Sequence, residues 1–190
     1  SILNSIKDIG YKTSIVNAYS KKIDHDILIL PGVGSYPKAM KYLNNSGLND
    51  KILNFSEKKN KLIFGICLGM QLLFDESVEF KKTKGLSLIK GTVEKFNSKK
   101  LIVPNISWNN LIATNRNKFL KKINNKNYYY FVHSYFCKPN IKDEIAAFSV
   151  YKNFKFCSAI QKRNILGTQF HPEKSGNEGQ KILKNLHKLI

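Results

Sequence analysis

Three residues in this sequence have the types and surroundings of a nucleophilic relay. Cys67 lies in Gly65-Ile66-Cys67-Leu68-Gly69-Met70-Gln71, at the end of the apolar run Leu62–Cys67 and just before a helical pattern. A buried strand that turns sharply into a helix lifts the residue at the turn above the sheet, and glycines two positions away on either side permit the strained backbone. The helix N-terminus that follows favours a thiolate and offers backbone N–H groups to a developing oxyanion. The alternative for Cys67 is a core cysteine in a strand, the commoner fate of a lone cysteine. Cys137 and Cys157 lack such a frame and are read that way. A thiol nucleophile needs a base, and the base needs a group to orient it. His171, 104 positions after Cys67, sits in Gln169-Phe170-His171-Pro172-Glu173 behind the β-prone run Ile165–Gln169. Pro172 holds the chain extended, and Glu173 can turn back to accept the second imidazole proton, fixing the tautomer and stabilising an imidazolium.

Positioning these groups requires strands that end on one side of a sheet. Ile2, Leu3, Ile6 and Ile9 recur at helical spacing up to Gly10, and Ser14–Asn17 reads as a short strand. Asp26–Leu30 is an apolar strand ended by the tight turn Pro31-Gly32-Val33-Gly34, after which Pro37–Leu43 resumes helical periodicity. Leu62–Cys67 is a further strand, with a helix over Gly69–Phe74 behind it. The second half holds β-prone runs at Leu88–Phe96, Tyr128–Val132, Ala146–Val150, Phe154–Ala159 and Ile165–Gln169, and closes with an amphipathic helix over Gly176–Leu189. Strand, turn and helix in alternation imply an α/β fold: an open, mostly parallel sheet flanked by helices, with an additional antiparallel portion. Ligands gather beyond the carboxyl ends of such strands. A parallel sheet ordinarily starts on a strand, whereas Ser1 heads a helix. The expectation is therefore a single domain over residues 1–190 whose first strand lies before Ser1, which would leave an exposed sheet edge.

Composition narrows the classes. A hydrophobic share of 42% with 12 Phe and 9 Tyr argues against disorder. No apolar run is long enough to cross a bilayer, Ser1–Ile9 has no signal-peptide pattern, and three scattered cysteines suit a reducing compartment. The expectation is a cytoplasmic protein without a membrane partner. The net charge of +19 raises the question of nucleic acid. Yet the basic residues are nearly all Lys, spread in short clusters such as Lys21-Lys22, Lys58-Lys59, Lys81-Lys82, Lys99-Lys100 and Lys121-Lys122, with Arg only at 116 and 163. Dispersed charge of this kind reads first as a solvated surface, ahead of a nucleic-acid face or a docking face for an acidic partner.

Taken together, Gly-Ile-Cys67-Leu-Gly-Met-Gln and Gln-Phe-His171-Pro-Glu173-Lys-Ser-Gly resemble the triad motifs of class I glutamine amidotransferases. Leu30–Gly34, Gly65–Phe74, Tyr130–Tyr135 and Gly167–Gly176 match, in order, the glutaminase subunits of imidazole glycerol phosphate synthase. Met70 and Lys174-Ser175-Gly176 favour that group over the anthranilate and GMP synthase glutaminases. The resemblance implies hydrolysis of glutamine through a thioester on Cys67, with His171 and Glu173 completing the triad and no cofactor or metal. It implies an oxyanion hole from the backbone N–H of Leu68 and of Val33 or Gly34, in a glycine turn that reorients when the partner binds its own substrate. It also implies glutamine contacts from Gln71, Glu79, Ser134 and Tyr135, although Val78 and Phe80 around Glu79 are unusual neighbours. The implied partner is a synthase (cyclase) subunit in a heterodimer, to which the ammonia passes in histidine biosynthesis.

His133 lies inside an aromatic strand-like run, where a structural role is expected ahead of a substrate contact. In Val103-Pro104-Asn105-Ile106-Ser107-Trp108-Asn109 the family carries His and Gly where this sequence has Asn105 and Ser107. Trp108 and Asn109 are retained, and Trp108 reads either as an interface anchor or as a core residue. This segment is expected to face the partner, and two alternatives stand beside the first reading, the first of them motivated by Asn105 and Ser107. One is a paralogous glutaminase feeding an amidotransferase of cell-surface sugars, and the other is a basic binding protein that has lost catalysis.

Overall fold

The most apolar runs of the sequence form the centre of the sheet. The computed structural model describes residues 2–96, 101–114, 119–120, 123–124 and 126–190. Lys99-Lys100, Lys121-Lys122 and Arg116 lie outside the described residues. Helix α1 (Ile2–Asp8) is followed by β1 (Ile27–Leu30), α2 (Tyr36–Asn45), α3 (Leu48–Ser56), β2 (Leu62–Ile66) and α4 (Leu68–Leu72). Then come β3 (Phe74–Ser77), β4 (Thr83–Lys84), β5 (Ile89–Lys95), β6 (Asn105–Asn110), β7 (Ile112–Ala113), β8 (Tyr128–His133) and β9 (Tyr135–Pro139). The chain closes with β10 (Ile145–Tyr151), β11 (Phe154–Lys162), β12 (Ile165–Thr168) and α5 (Gly176–Asn185), the last running into a 3-10 turn over Leu186–Leu189.

The large sheet runs in the order β1-β2-β12-β11-β9-β5-β3-β4, with β10 and β7 continuing from β11. Its parallel part is β1–β2–β12, joined by the parallel pair β3–β5, and antiparallel pairs connect the two. A second sheet pairs β6 with β8. All five residues of β2 are buried because the strand is covered on both faces, as parallel strands between helical layers must be. Leu62, Phe64 and Ile66 enter one core and Ile63 the other, the alternation expected of a strand. The α/β sheet with an added antiparallel portion matches the expectation from sequence. One edge is β1, which pairs only with β2 among the described residues. A cavity of about 1000 Å³ lies beside it, lined in part by Ile2, Ile6, Ile27 and Leu48.

Ser14–Asn17 is not a strand. It forms no ladder with any described strand, and Asn17 instead closes a turn through Ser20 N–H to Asn17 O at 3.1 Å. Helix α3, strands β3, β4, β6, β7 and β9 were not anticipated. The described Lys pairs at 21–22, 58–59 and 81–82 lie in loops and turns, two of them partly neutralised by Lys22–Asp24 and Lys82–Glu76 ion pairs. No helix among the described residues is long and apolar enough to cross a membrane.

Candidate active site

Cys67 sits between β2 and α4 with φ 54° and ψ −110°, a backbone conformation that non-glycine residues rarely adopt. Strain of this kind persists only where the surroundings over-determine it. Here the Cys67 N–H donates to Thr168 O at 2.7 Å, and Cys67 O accepts from Gln71 N–H at 3.2 Å. The tight packing of α4 on the sheet depends on two glycines. A Cβ on Gly65 would lie 2.7 Å from the Gly69 carbonyl, and one on Gly69 only 1.7 Å from Leu30 O. Cys67 is left 8% exposed.

His171 follows β12 and is held from three directions. Its N–H donates to Tyr130 O at 2.9 Å, its carbonyl accepts from Ser175 Oγ at 2.7 Å, and Ser175 Oγ in turn accepts from Tyr130 N–H at 3.0 Å. Its Nδ1 lies 2.8 Å from Glu173 Oε1, so Nδ1–H is the donor. The other ring nitrogen, Nε2, is buried without a hydrogen-bond partner of good geometry, close to the Cys67 thiol. Burial opposes a charged imidazole, but hydrogen bonding and charge from Cys67 and Glu173 more than offset it, raising the His171 pKa to about 9. The arrangement thus favours an imidazolium beside the sulfur. The three residues read as a relay are brought together.

The remaining expected contacts surround the same point. The thiol donates to Val132 O at 3.8 Å, placing the β8–β9 corner with Ser134 and Tyr135 over Cys67. Gln71 donates from Nε2 to Tyr135 O at 3.1 Å and to Gln169 Oε1 at 3.0 Å, which leaves its own Oε1 as the end that can meet a substrate. Burial and the nearby Glu79 carboxylate raise the Tyr135 pKa, so Glu79 lies near Tyr135. Glu79 Oε2 additionally accepts from the Tyr36 N–H at 2.6 Å, tying the start of α2 to the site. The glycine turn runs alongside α4: a Cβ on Gly32 would lie 2.9 Å from Leu68 Cβ. Val33 is 86% exposed at the tip of this turn, with Gly34 at φ 105° beside it. Leu68 N–H opens α4 immediately after the sulfur.

Several features lay beyond the sequence reading. Gln169 is fully buried and donates to Cys67 Sγ at 3.6 Å. It lies two residues before His171, and that spacing could have flagged it as sharing a face with the base. Asn105 is fully buried rather than turned to a partner, with Nδ2 3.0 Å from His133 Nε2. Ser107 Oγ donates to Asn105 Oδ1 at 2.6 Å, and Asn109 Nδ2 to Ser107 Oγ at 2.8 Å. His133 is kept neutral: burial depresses its pKa to about 4, opposed by its hydrogen bond to the Tyr135 carbonyl and aided by His171. Trp108, by contrast, is 52% exposed, which sets aside the core alternative. Its ring packs tilted against Tyr130 at 5.7 Å, and the Tyr130 ring lies 6.4 Å from the His171 ring. Cys137 and Cys157 face one another across β9 and β11 as buried thiols whose ionisation burial suppresses, the core role expected of them.

A buried thiol on a strained strand-to-helix turn beside a carboxylate-held histidine is equipped for acyl transfer from an amide. The sequence profile of glutamine amidotransferase class-I matches residues 1–189. The chain belongs to the class I glutamine amidotransferase family. It is accordingly a glutamine-hydrolysing enzyme. It is 42% identical over 190 residues to the imidazole glycerol phosphate synthase subunit HisH of Caldanaerobacter subterraneus subsp. tengcongensis, covering 100% of this chain and 92% of that protein. It is 39% identical to the subunit of the same name from Wolinella succinogenes, covering 97% and 91%. The crystal structure of a glutamine amidotransferase superposes with a TM-score of 0.70 at 17% identity, over 97% of this chain and 91% of that one. Another amidotransferase, from Thermotoga maritima, gives 0.57 at 15% identity over 87% and 76%. At those identities the structural likeness speaks for the amidotransferase fold alone.

Proposed function

We propose that this amidotransferase is the glutaminase subunit of imidazole glycerol phosphate synthase, acting in the cytoplasm and in histidine biosynthesis. The observation that carries the reading is the His171 imidazole, held by Glu173 at 2.8 Å and turned to the strained Cys67. In the first half-reaction the Cys67 thiolate attacks the side-chain amide carbon of glutamine. The developing oxyanion receives the N–H of Leu68 and that of Val33 or Gly34 once the glycine turn presents it. His171 gives its proton to the amide nitrogen, the C–N bond breaks, and ammonia leaves a glutamyl thioester on Cys67. Water then adds to the thioester with His171 as base, the C–S bond breaks, and glutamate departs as the sulfur takes back its original state. Gln71, Glu79, Ser134 and Tyr135 hold the substrate, with the Glu79 carboxylate suited to its α-ammonium group.

Ammonia passes to a cyclase subunit that makes imidazole glycerol phosphate and AICAR. The docking face is the outer side of β6 and β8, where Ile106, Trp108 and Tyr128 are exposed apolar side chains next to the His171 loop. Asn109 lies on the opposite side of β6, where its amide donates to Ser107 Oγ. The sugar-amidotransferase reading rested on Asn105 and Ser107; both point inward into a hydrogen-bonded set with His133, which removes the reason to prefer a different recipient. Ammonia-dependent and glutamine-dependent product formation with a purified cyclase subunit tests the proposal. Glutamine-dependent product is the expected result; product from added ammonia with none from glutamine would contradict it.

A further inference from the structure

The hydrogen bonds behind Cys67 form a directed chain that ends on its sulfur. Both amide hydrogens of Gln71 are given to acceptors, Tyr135 O and Gln169 Oε1. Gln169 must therefore present its oxygen to Gln71, which turns its NH2 group to Cys67 Sγ at 3.6 Å with no freedom to flip. The Tyr135 carbonyl that anchors Gln71 also accepts Nδ1–H of His133 at 2.8 Å. A neutral His133 donating from Nδ1 needs a donor at Nε2, and Asn105 Nδ2 supplies it at 3.0 Å. Asn105 is in turn oriented by the Ser107 hydroxyl at its Oδ1. Each amide orientation is thus dictated by its neighbour.

The state of the sulfur decides what this chain is for. A thiol can donate to the Val132 carbonyl at 3.8 Å, but a thiolate has no proton to give and faces that carbonyl oxygen unfavourably. Besides the His171 imidazolium, the side-chain donor that remains is Gln169. We propose that Gln169 is a catalytic residue whose amide N–H stabilises and aims the Cys67 thiolate, and that Asn105 is a positioning residue acting on it through His133, the Tyr135 carbonyl and Gln71. The assignment rests on Cys67 being the nucleophile, so the test reads the sulfur itself and not turnover.

The thiolate content of the whole chain is measured by ultraviolet absorbance against pH, with Cys67→Ser as the blank that cancels Cys137 and Cys157. Gln169→Met keeps the length and removes the donor. A hydrogen bond to an ionised group supports an expected fall of about tenfold in the thiolate fraction at pH 7, equivalent to about 1.4 kcal/mol. Asn105→Leu, remote from the sulfur, is expected to give a smaller fall of about threefold by loosening the chain of donors. Thermal melting selects the variants that fold as wild type. A wild-type thiolate fraction in any such variant overturns the proposal, and if Gln169→Met does not fold, Asn105→Leu decides it. Failure of the glutaminase reading would show separately, as glutamine hydrolysis by Cys67→Ser.

Discussion

Replacing Glu173 by Gln isolates the charge that holds the base. The carboxylate accepts Nδ1–H of His171 at 2.8 Å, with side chains only 4% and 11% exposed, so solvent screens the pair weakly. Gln keeps the size and can still offer a carbonyl oxygen to Nδ1–H, in which case only the charge is lost. A hydrogen bond to an ionised group contributes about 1.5–3 kcal/mol, so the variant should lose between about tenfold and about a hundredfold in kcat/KM for glutamine. If the amide flips and donates to Nδ1, His171 is fixed in the tautomer that cannot serve as base, and the loss approaches about 10⁴-fold, as in other triads with a neutralised carboxylate. Steady-state glutamine hydrolysis with the partner bound, followed against pH, reads both cases. The pKa of His171, raised to about 9 partly by Glu173, should fall in the variant. Activity within twofold of wild type with an unchanged pH profile would refute the role given to Glu173.

Further expectations concern pH, packing and docking. His133 is depressed to about 4 in the fold from an ordinary 6.5, so the unfolded chain binds its proton first: its stabilising contribution is complete above pH 6.5 and is lost as pH falls towards 4, by up to about 3 kcal/mol. His171 has the opposite sign, its contribution being complete below pH 6.5 and lost as pH rises through about 9. Urea unfolding should therefore show the stability gap between wild type and His133→Asn shrinking in acid, and that between wild type and His171→Asn shrinking in alkali; a reversed trend in either pair contradicts the assignment. Gly69→Ala would place a Cβ 1.7 Å from Leu30 O, a backbone clash that should cost about 3 kcal/mol or more and appear as a large drop in Tm. Trp108→Ala should leave Tm nearly unchanged, because the ring is half exposed, yet weaken cyclase binding by about 2 kcal/mol or roughly thirtyfold in Kd. An unaltered Kd would move the docking face elsewhere.

The parallel core and the motifs around Cys67 and around His171 were legible in the sequence because each is local. An unbroken apolar run such as Leu62–Ile66 announces a strand covered on both faces, and glycines flanking Cys67 announce the elbow. What was not legible depends on partners distant in the chain. Ser14–Asn17 has strand-like composition but pairs with no described strand, whereas β6 carries Asn105, Ser107, Asn109 and Asn110, a polar set that argues against a strand until β8 pairs with it. Asn105 looked like a surface change because its sequence neighbours are interface candidates. Its burial follows from strand alternation, which sends Ile106 and Trp108 outward and Asn105 and Ser107 in towards His133. Gln169 was missed because its significance is a single contact with a sulfur 102 positions away.

The central claim is that Cys67 carries the glutamyl group during glutamine hydrolysis. Its most direct test is mass spectrometry of the complex with the proposed cyclase subunit, quenched in acid during turnover of glutamine and digested to locate the adduct. The account predicts a glutamyl thioester on the peptide bearing Cys67 and on neither Cys137 nor Cys157, absent in Cys67→Ser, which should also lose glutamine hydrolysis. Hydrolysis at the wild-type rate by Cys67→Ser, or an adduct on another residue, would contradict it.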